Sequence, residues 1–282
     1  MSELLLGAPV AQAIRASLSA RVAALKASGR PPKLAILRCG ADSSALAYER
    51  AALRSCEQSD ILVEKIALPW TTTTRELERE IERINDDGTI HGVLVLRPLP
   101  RQIDTQRVFQ RLRADKDVDG LTVPSLARVF VGSGSGFAPC TPEACLAMLD
   151  HYGVSLSGAR VVIVGRSLIV GRPLSMLLCA RDATVTLCHS KTHKLSALCR
   201  EADILIVTAG HAALVDEHFV HPGQVILDVG VNESFDGTIC GDVAFKRVSP
   251  LVRAISPVPR GVGTVTTAVL ASHVVEAAEK LG

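Results

Sequence analysis

Hydrophobic residues along the chain recur in two patterns, one typical of helices and one typical of buried strands. Near the N-terminus, apolar residues spaced three or four apart predict a helix over residues 5–27. Short continuous runs of Val, Ile and Leu are typical of strands covered on both faces. The predicted strands are 33–37, 61–68, 92–96, 161–164, 184–188, 204–208 and 225–229. The other predicted helices are 42–59, 75–85, 173–180 and 266–281. This alternation predicts an α/β fold with parallel sheets covered by helices.

A glycine-rich segment near the middle of the chain marks a domain boundary. Residues 131–137 read Val-Gly-Ser-Gly-Ser-Gly-Phe, and the turn Pro139-Cys-Thr-Pro142 follows. Gly and Ser favour neither helix nor strand here, so we expect a loop. The predicted boundary falls at residue 142, and 282 residues are enough for two domains with complete cores.

Composition and charge exclude several classes of protein. The chain is 48% hydrophobic and 21% charged, which is typical of a soluble globular protein. Its formal net charge of +2 indicates neither nucleic acid nor an anionic membrane as a partner. No apolar run has the length of a membrane span, and the first residues do not resemble a secretion signal, so we expect a cytoplasmic protein. The cysteines and histidines show no ligand spacing, and no metal site is predicted.

The segment from Val161 to Pro173 carries the most informative chemical pattern. A predicted strand ends at Gly165, and a helix follows Gly171. A strand, a glycine turn and a helix N-terminus together place backbone N–H groups against a phosphate. The alternative is an ordinary strand–helix–strand crossover, because the spacing of the glycines departs from the usual dinucleotide fingerprint.

The end of the following strand indicates which dinucleotide would bind. In a unit of this type, a carboxylate at that position hydrogen-bonds the 2′-hydroxyl of the adenosine ribose. This chain has Ser190 and Lys191 there, and Arg166 lies in the glycine turn. These side chains suit a 2′-phosphate, so the sequence predicts NADP as the cofactor.

Several separated motifs resemble those of one enzyme family. They are Tyr48, Pro98-Leu-Pro100, Asp115-Lys-Asp-Val-Asp-Gly120, Pro139-Cys-Thr-Pro142, Gly165-Arg-Ser-Leu-Ile-Val-Gly-Arg-Pro173, His189-Ser-Lys-Thr192, Gly241-Asp-Val243 and Ser256-Pro-Val-Pro-Arg-Gly-Val-Gly263. In order and spacing they resemble the bifunctional methylenetetrahydrofolate dehydrogenase/methenyltetrahydrofolate cyclohydrolases over nearly the whole chain. The resemblance implies two α/β domains flanking a cleft, the second a Rossmann-like NAD(P)-binding domain, and a homodimer. It also implies NADP-dependent oxidation of 5,10-methylenetetrahydrofolate to 5,10-methenyltetrahydrofolate in one-carbon metabolism.

The resemblance assigns roles to domains and residues. Residues 1–142, completed by helix 268–282, would form the folate-binding catalytic domain, and residues 143–267 the NAD(P)-binding domain. Tyr48 and Asp119 are the expected catalytic residues, the first orienting the substrate and the second holding its pterin ring. The expected substrate contacts are Tyr48, Pro98, Leu99, Asp119, Arg260 and Gly261. The expected cofactor contacts are Gly165, Arg166, Ser167, Ile169, Gly171, Pro173, Ser190, Lys191, Thr192 and Val231.

The chain departs from the family pattern where the folate would bind. The catalytic lysine of the family corresponds to Ala52, and its glutamine partner corresponds to Leu96. Arg97 replaces an apolar residue, and Arg260 replaces a glycine. Alanine and leucine cannot move a proton, whereas hydride transfer depends on orientation and on the cofactor. We therefore expect a weakened dehydrogenase with little or no cyclohydrolase activity.

The same residues also fit other interpretations. Asp119 could be a turn residue that caps a helix, and Tyr48 could be a half-buried core tyrosine. Cys140 is expected to pack in a rigid turn, because the sequence identifies no base beside it. Two further functions fit the pattern. The scaffold could act on another reduced pterin or hydride donor, with Arg97 and Arg260 contacting an anionic group, or it could be a non-catalytic dinucleotide-binding relative.

Overall fold

The computed structural model describes residues 2–234 and 237–281, which form two compact α/β units. The six-stranded unit comprises Met1–Ala11 and Thr141–Thr266. The three-stranded unit comprises Gln12–Cys140 and Thr267–Gly282. The six-stranded and the three-stranded sheets are both parallel, so the predicted α/β fold class is confirmed.

The predicted strands and helices are present, with ends that differ by up to four residues. The strands are β1 (Glu3–Leu4), β2 (Lys33–Cys39), β3 (Leu62–Leu68), β4 (Gly92–Val95), β5 (Arg160–Val164), β6 (Thr184–Cys188), β7 (Ile204–Val207), β8 (Val225–Asp228), β9 (Asn232–Glu233), β10 (Ile239–Cys240) and β11 (Ala254–Ile255). The helices are α1 (Gly7–Ala27), α2 (Ser43–Gln58), α3 (Thr74–Asp86), α4 (Thr105–Arg111), α5 (Val123–Val131), α6 (Cys140–His151), α7 (Gly171–Cys179), α8 (Leu195–Arg200), α9 (Phe245–Val248) and α10 (Val262–Lys280). Short 3-10 helices lie at Glu217–Phe219 and Ser249–Leu251.

In the three-stranded unit, the strand order is β3-β2-β4, and α3 covers one face of the sheet. Leu77, Ile81 and Ile84 recur on one side of α3 and are fully buried against Leu37 and Val93 of the sheet. The helix begins with a capping box in which Thr73 and Glu76 bond to each other's backbone N–H. This packing fixes the carboxyl ends of β2 and β4, from which the loops of the candidate site leave the sheet.

In the six-stranded unit, the strand order is β1-β11-β8-β7-β5-β6. The central strands β5, β7 and β8 are almost entirely apolar and buried, as expected for a parallel sheet covered on both faces. β1 pairs with β11, with Glu3 opposite Ala254 and Leu4 opposite Ile255. The N-terminal residues therefore belong to the six-stranded unit, and not to the domain in which the sequence prediction placed them.

The loop in the glycine-rich segment begins one residue later than predicted, because Val131 still belongs to α5. α5 continues to Val131 and ends at Gly132, which adopts the left-handed conformation with a φ of +81°. Phe137 is buried, and its ring lies 4.9 Å from the ring of His273. Within the described part of the chain, no helix has the length and apolar character needed to cross a membrane.

Candidate functional site

Tyr48, Arg97 and Asp119 share one site in the three-stranded unit. Tyr48 lies on α2, whose N-terminus is capped by Asp42 through bonds of 2.9 Å from Ser44 N and 3.2 Å from Ala45 N. Arg97 directly follows β4, and all three side chains are partly exposed. Burial holds the pKa of the Tyr48 hydroxyl well above its ordinary value; the charge of Asp119 raises this pKa further and that of Arg97 lowers it.

The charged residues just before Asp119 have structural roles. Lys116 is buried, and its Nζ donates to the carbonyls of Ile84, Asn85 and Asp87 at 2.8, 2.9 and 2.8 Å, which closes the C-terminal end of α3. Asp117 accepts from Thr122 N at 2.7 Å and from Ser125 Oγ at 2.6 Å at the start of α5. Thr122 is the N-cap residue of α5, and Asp117 holds the backbone of Thr122 and the hydroxyl of Ser125 in place, so the acid that supports this helix start is Asp117 and not Asp119.

The protonation of Asp119 is set by opposing effects. Burial raises the pKa of its carboxyl group to about 6. The Arg97 guanidinium, the neighbouring Cys140 side chain and the charge of His273 lower this pKa, whereas Asp117 raises it further. Above pH 6 the carboxylate form prevails, so the site presents an acceptor for N–H groups.

Two side chains that the sequence did not link fix the peptide before Asp119. The Val118 carbonyl accepts a bond of 3.2 Å from the Cys140 thiol and one of 2.8 Å from His273 Nδ1. His273 Nδ1 lies 3.7 Å from Cys140 Sγ. Because Nδ1 donates its hydrogen to the carbonyl, it cannot take the thiol proton. Cys140 is thus buried and hydrogen-bonded at the start of α6, where the sequence predicted a turn, and only the fold shows the role of His273.

Ala52 and Leu96, which stand where the family has its catalytic lysine and glutamine, are both buried. Ala52 lies one helical turn after Tyr48 and has no exposed surface, and Leu96 is 3% exposed. Leu96 N donates to Leu37 O at 2.8 Å, which extends the pairing of β4 with β2. Neither side chain has a group that can activate water.

The remaining predicted substrate contacts are divided between the two units. In the three-stranded unit Pro98 is exposed, and Leu99 is half-buried against the core. Arg260 and Gly261 belong to the six-stranded unit. Arg260 has a φ of +83°, which strains a residue with a side chain, and its carbonyl accepts from Gly7 N at 2.8 Å.

In the six-stranded unit, the glycine turn lies at the switch point of the sheet. The chain passes from β5 to β6 on one side of β5 and then to β7 on the other, and ligands bind at the carboxyl ends of such strands. Gly165, with a φ of +133°, packs so closely on the Thr208 carbonyl that a Cβ would collide with it. A Cβ on Gly171 would collide with the Gly165 carbonyl. Both glycines therefore allow a close backbone approach at the N-terminus of α7.

The other predicted residues of this turn have distinct positions. Ser167 Oγ accepts from Val170 N at 3.1 Å and so shapes the turn. Arg166 is exposed, Ile169 is half-buried, and Pro173 is buried in the first turn of α7. α7 has no side-chain cap at Val170.

The second predicted loop leaves the adjacent strand. Gly165 N donates to Cys188 O at 2.9 Å, which ties the start of the glycine turn to the end of β6. The loop is closed by a bond of 2.9 Å from His189 N to Thr192 Oγ1, and Ser190 and Lys191 are exposed at its tip. Arg166 and Lys191 therefore extend from the carboxyl ends of neighbouring strands.

Two buried aspartates, which the sequence interpretation missed, brace the neighbouring loops. Asp242 accepts from Ala209 N, Gly210 N and His211 N at 2.6, 2.9 and 2.9 Å, in the loop after β7. It also accepts from Asn232 Nδ2 at 2.8 Å, next to the exposed Val231. Asp228 accepts from Asp242 N and Val243 N at 3.0 and 2.9 Å, and burial raises the pKa of Asp228 to about 6. Among the described residues, no group of His, Cys, Asp and Glu is arranged to hold a metal ion.

Comparison with known proteins identifies both units. Residues 5–119 match the catalytic domain of the tetrahydrofolate dehydrogenase/cyclohydrolase family, and residues 139–281 match its NAD(P)-binding domain. The chain is 46% identical to the bifunctional protein FolD of Carboxydothermus hydrogenoformans, over 100% of this chain and 99% of that protein. It is 45% identical to FolD of Clostridioides difficile, over 98% and 96%.

Solved structures give the same result. The bifunctional FolD enzyme of Campylobacter jejuni superposes with a TM-score of 0.96 at 36% identity, covering 99% of both chains. The Trypanosoma brucei FolD enzyme, complexed with NADP cofactor and inhibitor, gives a TM-score of 0.93 at 31% identity, covering 99% of this chain and 98% of that one. The chain therefore belongs to the tetrahydrofolate dehydrogenase/cyclohydrolase family.

Proposed function

We propose that this chain is an NADP-dependent 5,10-methylenetetrahydrofolate dehydrogenase that forms 5,10-methenyltetrahydrofolate. The observation that carries the proposal is the position of Asp119. Asp117 supports the N-cap residue of α5, and Asp119 lies beside Tyr48 as an acceptor for the N–H groups of a pterin ring. The activities named for relatives that are similar over their whole length support this assignment.

The residues of the six-stranded unit fit NADP. Gly165 and Gly171 leave the backbone free to approach a pyrophosphate at the N-terminus of α7. Arg166 and Lys191 supply exposed cations for a 2′-phosphate, next to Ser190. Ser167, Ile169, Pro173, Thr192 and Val231 complete the proposed contacts. When bound, the nicotinamide of NADP accepts the hydride.

In the three-stranded unit, we propose that Tyr48 and Asp119 orient the substrate, together with Pro98 and Leu99. Arg260 and Gly261 are the proposed substrate contacts from the six-stranded unit. Hydride transfer needs this orientation and no proton acceptor at the one-carbon bridge. Hydrolysis of the methenyl product needs an activated water and a proton shuttle, and neither Ala52 nor Leu96 supplies one. We therefore propose that cyclohydrolase activity is very low or absent.

A direct assay tests both parts of this proposal. Purified protein is mixed with NADP and methylenetetrahydrofolate, and NADPH and the methenyl product are followed at wavelengths that distinguish them. We expect slow formation of both in equal amounts, with accumulation of the methenyl compound. Its hydrolysis should exceed the buffer rate by less than a factor of about 10², the lower end of general acid–base catalysis. Rapid hydrolysis would contradict the proposed loss of cyclohydrolase activity.

Restoring the family pair should restore hydrolysis. We predict that Ala52→Lys with Leu96→Gln increases the hydrolysis rate by more than the two single changes predict together, because the two groups act as a unit. Thermal melting of each variant is the control, since Ala52 is completely buried and a lysine there needs new space. Strictly additive effects in folded variants would contradict this interpretation.

Arg97 favours a second candidate function, in which the scaffold acts on another reduced pterin or hydride donor that carries an anionic group. The assay above distinguishes this candidate, because methylenetetrahydrofolate would then not be oxidised. We also propose a homodimer and a cytoplasmic location, as expected from the sequence.

A further inference from the structure

Arg97 is a half-buried cation without a bonded partner in the described part of the chain. Lys33 and Arg38, which are also half-buried, form ion pairs of 2.6 and 2.7 Å with carboxylates. Lys116 and Arg128 donate to backbone carbonyls. Within residues 2–234 and 237–281, Arg97 forms neither an ion pair within 4.0 Å nor a hydrogen bond. Its five N–H groups are therefore available to a ligand.

The location of Arg97 places this cation in the candidate substrate site. Its charge acts on both Tyr48 and Asp119. Asp119 is a carboxylate whose pKa the charge of Arg97 lowers, yet the two side chains form no ion pair within 4.0 Å. Arg97 is also partly exposed at the start of the loop after β4. A ligand group that meets Arg97 would therefore lie towards solvent.

The chemistry of a tetrahydrofolate limits which of its groups can match a guanidinium. Its pterin ring and methylene bridge are neutral, and the bridge becomes cationic in the methenyl form. Full negative charge is carried only by the carboxylates of the glutamate tail. An arginine binds a carboxylate through paired, charge-assisted hydrogen bonds and is repelled by a cation.

We propose that Arg97 binds a carboxylate of the glutamate tail and so selects folates that carry glutamate. The inference rests on the proposed function and identifies Arg97 as a specificity-determining contact. Arg97 does not replace the missing lysine as an acid or base, because a guanidinium does not release its proton at physiological pH.

The test compares tetrahydrofolate with tetrahydropteroate, which is the same molecule without glutamate. Dissociation constants are measured under nitrogen by quenching of the single tryptophan, Trp70, whose carbonyl bonds to Gln102 in the loop after β4. The wild-type protein should bind tetrahydrofolate at least about tenfold more tightly than tetrahydropteroate. Arg97→Leu should remove this preference and leave the affinity for tetrahydropteroate unchanged.

Matched variants separate the contact from general effects. Arg101→Leu changes an exposed arginine four residues along the same loop, and it should preserve the wild-type ratio. Arg97→Lys should retain part of the preference, because it keeps the charge without the paired geometry. A wild-type preference for tetrahydrofolate below twofold would by itself overturn the inference. An unchanged preference in the folded Arg97→Leu variant would also overturn it. If methylenetetrahydropteroate is oxidised at the same rate as methylenetetrahydrofolate, the contact between Arg97 and the glutamate tail is refuted, whereas the proposed dehydrogenase activity is not.

Discussion

At the scale of single residues, the segment Asp115–Gly120 shows how closely spaced charges take different roles. Lys116 and Asp117 complete two helices, and Asp119 belongs to the candidate site. The sequence singled out Asp119 through the resemblance, but it could not exclude a capping role. That distinction depends on which carboxylate reaches the backbone N–H of Thr122 at the start of α5, and the fold shows that Asp117 does.

Asp119 is predicted to oppose folding in the absence of ligand. Its pKa rises from 3.8 to about 6 on folding, so the folded state binds the proton more tightly and the ionised form is disfavoured. This cost is fully present above pH 6 and disappears as the pH falls from 6 towards 3.8. Asp119→Asn should therefore increase the free energy of unfolding by about 1–2 kcal/mol at pH 7.5 and abolish folate binding. Urea unfolding at pH 7.5 and 4.5 measures the difference, which should fall to about a third at the lower pH. Destabilisation at both pH values would contradict the prediction.

Arg166 is predicted to set the choice between NADP and NAD. One charge-assisted contact to the 2′-phosphate contributes about 1.5–3 kcal/mol, so NADP should bind at least about tenfold more tightly than NAD. Arg166→Ala should remove most of this preference with little effect on NAD binding. Calorimetric titration with both dinucleotides measures it, and Arg200→Ala, an exposed arginine at the end of α8, is the control. Equal wild-type dissociation constants would refute the assignment.

At the scale of elements, the sequence predicted those with strong apolar patterns and missed those defined by pairing or by side-chain bonds. β6 has the predicted bounds, and β5 begins one residue early. β1 and β11 have two residues each, too few to show any period. Asp242 gave no recognisable pattern either, since its partners lie about ten and thirty residues away in the chain.

Asp242 is predicted to couple the loops after β7 and β8. Its Oδ2 accepts from Ala209 N and Gly210 N, and its Oδ1 accepts from His211 N and Asn232 Nδ2. An asparagine has only one oxygen, so whichever way its amide is oriented, one of these two pairs of donors would lose its acceptor. Asp242→Asn should therefore reduce the free energy of unfolding by about 1–3 kcal/mol. Hydrogen exchange of the amides of residues 209–211 should accelerate, and NADP should bind more weakly. Asp216→Asn, which affects the cap of a short 3-10 helix and an ion pair of 3.6 Å with Arg247, is the matched control. Unchanged exchange at residues 209–211 would contradict the coupling.

At the scale of the whole molecule, the alternation of strands and helices predicted an α/β protein, and the glycine-rich segment predicted its division into two domains. Which residues belong to which unit was harder to predict from the sequence. The N-terminal residues carry a helical pattern that does not reveal which sheet their first strand joins. The pairing of β1 with β11 joins positions about 250 residues apart, and no local pattern encodes it.

The edges of the sheets favour a specific dimer. An exposed edge strand can pair with a second chain, and proteins protect such edges by short strands or by charged side chains. β1 has two residues, β3 carries Glu64 and Lys65, and the four residues of β4 are all buried, whereas β6 is a five-residue edge without a charge. We propose that β6 forms the homodimer interface.

Light scattering at micromolar concentration should therefore give the mass of two chains. Changing the exposed Thr184 and Thr186 of β6 together to Asp should give a monomer, because the two-fold axis of the dimer brings like charges together and desolvates them. Ala67→Asp, which places a charge at an exposed position of the β3 edge, should leave the dimer intact. Because the proposed NADP contacts and the edge belong to the same unit, the monomeric variant should still bind NADP, which shows that it is folded. A monomeric wild-type protein, or a dimer that persists in the double variant, would exclude this interface.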